Sequence, residues 1–111
     1  MTDLLNFREF YQKTPILINT KDWEAIQMDD RLSQMFEHCT HWLIGLEGSE
    51  LEQKTTQWRV IIFPSRSSGT FNFTRPFYRS SFFHSFNEAL LFSRRLELLA
   101  KNDELFSIYQ A

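Results

Sequence analysis

The chain is poor in the residues that build covalent or metal-held scaffolds: one cysteine, three histidines, three prolines and three glycines occur in 111 residues. A lone thiol rules out an internal disulfide, and with three histidines it makes a thin ligand supply, so a reducing, cytoplasmic setting is expected. No apolar run nears the twenty or so residues of a membrane span. The opening residues include Asp3, Arg8 and Glu9, where a secretory signal needs an unbroken apolar stretch. Gly45, Gly48 and Gly69 are scattered and form no phosphate-cradling pattern, and no serine lies in a nucleophile-elbow context. Linkers, repeats and low-complexity tracts are also lacking, which predicts a single domain over residues 1–111. A chain of this length can withdraw about two thirds of its unfolded surface from water without staples.

Aromatic side chains are plentiful. Twelve phenylalanines, three tryptophans and three tyrosines are present, and Phe63, Phe71, Phe73, Phe77, Phe82, Phe83, Phe86 and Phe92 fall close together. A buried ring removes about 150–250 Å² from water, so the supply exceeds what a small core needs. Some rings are therefore expected on the surface or shared with a second chain. The net charge of −2 conceals a gradient: residues 1–52 carry −6, residues 53–87 carry +5 with no carboxylate at all, and residues 88–111 carry −1. Either the two halves complement each other within one domain, or the basic aromatic stretch faces a partner.

Periodicity predicts an α+β fold of short N-terminal helices, a three-stranded antiparallel β-meander and a C-terminal helix packed on the sheet. Thr2 to Gln12 reads as an amphipathic helix with Leu4, Phe7 and Tyr11 on one stripe. Pro15 ends it and leaves Ile16 to Ile18 extended. Trp23 and Ile26, then Leu32, Met35, Phe36 and Cys39, recur at helical spacing, and Asp29 and Asp30 suit a helix start. Strands are predicted at His41 to Glu47, Gln57 to Phe63 and Thr70 to Thr74, with a long polar loop from Gly48 to Thr56 and a turn at Pro64 to Gly69. Ser85 and Glu88 form a capping box for a helix running to about Lys101, whose arc of Phe86, Ala89, Phe92, Leu96, Leu99 and Ala100 should meet the sheet. Leu91 and Leu98 fall on its far side, flanked by Arg94 and Arg95. Either the first helix or the tail Leu105, Phe106, Ile108 and Tyr109 covers them, the more common outcome, or they form an exposed partner strip.

The stretch Glu37 to Trp42 (EHCTHW) gathers Cys39 with His38 and His41. A structural zinc needs four converging ligands, and adjacent side chains at a helix-to-strand change diverge. Cys39 continues an apolar stripe, so it is expected to be a buried, inert thiol. Neither metal nor cofactor is predicted, and no catalytic constellation is visible. The positive signal is the run from Trp58 to Phe86. Interleaved arginine and aromatic residues suit protein interfaces, and the expected function is a small non-catalytic protein-interaction or regulatory protein. Its partner would be another protein with an acidic surface or a second copy of the chain, engaged through Trp58, Arg59, Arg66, Arg75, Phe77, Tyr78, Arg79, Leu91, Arg94, Arg95 and Leu98. The alternative is a nucleic-acid-binding module in which residues 53–87 contact phosphates and stack bases. No membrane contact and no small-molecule substrate is expected.

Overall fold

In the computed structural model, which describes residues 10–12, 14–51, 55–71 and 75–110, the elements follow as β1 (Phe10–Gln12), β2 (Ile16–Leu17), α1 (Thr20–Gln27), α2 (Asp30–Met35), β3 (His41–Leu51), β4 (Thr55–Ser65), β5 (Tyr78–Arg79), α3 (Phe86–Lys101) and a closing 3-10 helix (Leu105–Gln110). The fold is α+β, with one antiparallel sheet and α3 packed on it. Among the described residues no helix is long and apolar enough to cross a membrane.

The sheet has four ranks rather than the expected three. β3 and β4 pair along their whole length, from His41 opposite Ser65 to Leu51 opposite Thr55. On the other edge of β3 lie β1 and β2 in succession, β1 against Gly45 to Glu47 and β2 against His41 and Trp42. The helix expected over Thr2 to Gln12 is thus corrected at its end: Phe10–Gln12 is a strand, and the rest of that segment lies outside the described residues. Helical spacing over a few residues is a weak preference, and an open strand edge with unpaired amides outweighs it. The predicted polar loop also shrinks, because Gly48 to Leu51 and Thr55 and Thr56 belong to the ladder.

The fourth rank is displaced from the predicted Thr70 to Thr74. Phe71 makes one bridge to Ser65, residues 72–74 lie outside the described set, and β5 takes the edge of β4 instead. Phe77 donates to the Ile62 carbonyl at 2.7 Å and Ser80 to that of Val60 at 2.9 Å, while Val60 N–H donates to Ser80 Oγ at 2.9 Å. Trp58 and Phe83 then exchange both backbone bonds, at 3.0 and 2.6 Å. Ser81 and Phe82 therefore stand opposite the single Arg59, the geometry of a β-bulge. The extra residue breaks the period of two, which is why SSFFHS does not read as strand.

Alternation assigns the two faces. Trp42, Ile44 and Leu46 of β3 join Trp58, Val60 and Ile62 of β4 beneath α3, and Ile26, Leu32, Phe36, Phe77 and Leu105 close this main core. Burying each large apolar side chain stabilises by about 1.5–3 kcal/mol. On the opposite face Leu43, Ile61 and Phe63 are buried with Phe71 against them. α3 approaches the sheet with Ala89, Ser93, Leu96 and Ala100, three of them small, and Ser93 satisfies its hydroxyl on the Leu90 carbonyl at 2.7 Å. Ser85 caps the helix by accepting from Glu88 N–H at 3.1 Å, which is the serine half of the predicted capping box.

The far end of α3 terminates on Asp103, at φ 63°, in the left-handed region. Asp103 N–H donates to the Ala100 carbonyl and Glu104 N–H to that of Leu99, a Schellman closure built on aspartate in place of glycine. The Asp103 carboxylate then accepts from Lys21 and Asp22 N–H at 2.8 and 2.7 Å, which caps α1. Asp22, almost wholly buried, answers by accepting from Leu105 and Phe106 N–H, each at 3.0 Å. Two carboxylates far apart in sequence thus cap each other's elements and fix α1 to the chain terminus.

Candidate functional site

The sequence-predicted site residues separate into groups. Trp58 and Phe77 are corrected to the core: they are 9% and 5% exposed. Trp58, on β4, meets the Phe86 ring edge-on at 4.8 Å, and Phe77, just before β5, stacks on Tyr109 at 5.1 Å. Tyr78 packs against the same core and is half-buried. Arg59 and Arg79 lie on the other side of the sheet, in register with Glu47 and Ile61. Arg59 is engaged within the molecule, by Glu47 at 2.8 Å and by the Phe82 ring at 4.7 Å. Arg66 is exposed at the turn that Gly69 permits with φ 93°. Arg75 is exposed beside Pro76. These residues do not form one continuous surface.

One group does stay together. Leu91, Arg94, Arg95 and Leu98 sit at i, i+3, i+4 and i+7 on α3, so they share one face. All four are exposed, Leu91 at 57% and Leu98 at 59%. The tail does not cover them: Leu105 is inside the main core, and Phe106, Ile108 and Tyr109 pack against that core. Seven residues at 1.5 Å rise separate the leucines by about 10 Å along the axis. Among the described residues neither Arg94 nor Arg95 meets a carboxylate. Glu88 and Lys101 mark the ends of the same face, both exposed.

A second feature was not visible in the sequence. A cleft of about 320 Å³ opens between α2, residues 75–77 and the 3-10 helix, lined by Arg31, Leu32, Gln34, Met35, Arg75, Pro76, Phe77 and Tyr109. Gln34, Met35 and Arg75 also border a lobe of about 220 Å³ that reaches Glu37, His38, Cys39 and Pro64. The cleft is assembled from segments remote in sequence, and no local pattern marks Arg31 or Tyr109 as belonging together.

The cysteine and histidine triplet is spread out. His38, at φ 68°, turns the chain out of α2 and lies 3.7 Å from Glu37 on the surface. His41 Nδ1 pairs with Thr40 Oγ1 at 2.8 Å. Cys39 is half-buried against the main core, and burial pushes its thiol pKa up, with Arg66 pulling weakly the other way. A raised pKa keeps the group protonated and a poor nucleophile at neutral pH. Among the described residues no three His, Cys, Asp or Glu side chains are grouped to hold a metal ion. Compared with family models, curated proteins and solved structures, the chain matches none.

Proposed function

We propose that this is a non-catalytic interaction module that docks an acidic protein on the outward face of α3. The observation that carries this reading is the pair of leucines, each more than half exposed, on one helix face with two guanidiniums between them that meet no carboxylate among the described residues. Leaving such a strip in water forgoes about 25 cal/mol per Å², and the gain returns when a partner covers it. The arginines select the partner by charge, through on-rate and register rather than bulk affinity.

A second copy of the chain fits less well. Antiparallel pairing about a two-fold axis would set Leu91 on Leu98 and Glu88 near Lys101, but it would bring four guanidiniums together at the centre. Exposed ion pairs contribute about 0–1 kcal/mol each, which does not offset that repulsion together with the loss of arginine hydration. The nucleic-acid alternative would need Trp58, Phe77 or Tyr78 as stacking platforms, and Trp58 and Phe77 are enclosed in the core while Tyr78 is half-buried against it.

The test is the double substitution Leu91→Asp with Leu98→Asp. Its unfolding free energy is expected within about 1 kcal/mol of wild type, as for surface positions, while binding to the acidic partner is lost and wild-type binding weakens as salt rises. A large loss of stability would show that the leucines belong to the core, and unchanged binding would remove the docking face.

A further inference from the structure

We propose that the cleft between α2 and the 3-10 helix binds a small organic oxyanion, a carboxylate or phosphate carried on a flat apolar body. This site is separate from the α3 face and involves a different class of ligand.

Charge gives the first argument. Arg31 and Arg75 line one concavity, and among the described residues no carboxylate lines its larger lobe and neither guanidinium meets one. Two like charges beside low-dielectric walls concentrate the field of opposite sign that attracts anions. Guanidinium forks match the oxygens of carboxylate and phosphate in bidentate geometry.

Rigidity and shape give the second. Arg31 donates to Tyr109 Oη at 3.4 Å, and the Tyr109 ring lies at 17° to Phe77, which is itself held edge-on to Phe36 at 5.8 Å. One arginine is thereby tied to a wall fixed in the core. Leu32, Met35 and Pro76 complete an apolar floor, and the Gln34 amide supplies a neutral donor and acceptor at the rim. Ligand cavities commonly measure about 300–1,000 Å³. A volume of about 320 Å³ therefore fits one ring with its oxyanion.

The experiment is an NMR titration of the full chain with phenyl phosphate, benzoate, inorganic phosphate and, as the neutral control, benzamide. Phenyl phosphate or benzoate should give saturable shifts at the Met35 methyl and the Phe77 and Tyr109 rings. The tighter of the two identifies the oxyanion. Inorganic phosphate, lacking the flat body, should bind about tenfold more weakly, a difference of about 1.4 kcal/mol. Benzamide should not saturate. Arg31→Gln with Arg75→Gln changes two exposed side chains, so the fold should survive while affinity falls about tenfold or more. Leu91→Asp with Leu98→Asp should leave the titration unchanged, which separates failure here from failure of the docking face. Absence of saturation with both anions, equal binding of benzamide, or full affinity in the double arginine variant would each overturn the proposal.

Discussion

At Asp22 two effects of burial oppose each other. Removal from water raises the carboxyl pKa, the amides of Phe106 and Leu105 lower it, and the neighbouring Asp103 charge raises it again; the net direction is upward. The folded state therefore holds the Asp22 proton more tightly than the unfolded chain does. Its contribution to stability is then fully present below the unfolded value of about 4 and is lost as pH rises through the higher folded value. Asp22→Asn offers one acceptor where the 3-10 helix presents two amides. It should cost about 1–3 kcal/mol, the range for a buried donor left unsatisfied. The stability gap between wild type and variant should widen as pH falls from neutral toward 4 in denaturant titrations. A gap that narrows would mean that the amide bonds outweigh burial.

At the level of the elements, α3 is the part most legible in the sequence, because its signals are local. Ser85 and Glu88 set its start, and the buried arc repeats at helical spacing. The end was visible only as a lapse of pattern, since Asp103 fills a left-handed position that glycine usually marks. Strands were harder to read. β1 is defined by its partner β3 rather than by its own residues, and the bulge at Ser81 and Phe82 shifts the alternation by one. The β3–β4 hairpin hides another constraint, in which the Trp58 ring lies across Gly48 on the opposite strand. A Cβ at Gly48 would stand 2.8–3.0 Å from Trp58 ring carbons. The ring cannot retreat freely, because Phe86 meets it at 4.8 Å. Gly48→Ala should therefore destabilise by about 1–3 kcal/mol, the usual cost of overpacking, and by less in a Trp58→Leu background. Equal costs in both backgrounds would show that the two residues are not coupled.

For the whole molecule, composition revealed the raw material of a site but not its arrangement. The basic, aromatic run from residue 53 to 87 passes through the sheet and its following turns, and alternation sends successive residues to opposite faces. Trp58 goes to the core while Arg59 goes to Glu47; Tyr78, in register with Ile62, turns inward and Arg79, in register with Ile61, lies on the far side. A charge run in a sheet is divided between two faces, whereas residues at i, i+3, i+4 and i+7 of a helix remain on one. That is why the α3 strip survived as a unit and the central patch did not. The cleft that joins Arg31, Arg75 and Tyr109 depends wholly on tertiary placement.

Site-specific photocrosslinking in extract of the source cells tests the docking face most directly. A photoreactive benzoylphenylalanine replaces Leu91 in one protein and Met28, 86% exposed on another element, in a second. The account predicts one discrete protein adduct from position 91, attached at an acidic segment, reduced by added salt, competed by unmodified protein and not by the Leu91→Asp with Leu98→Asp variant. The same adduct from position 28, or none from position 91, would contradict it.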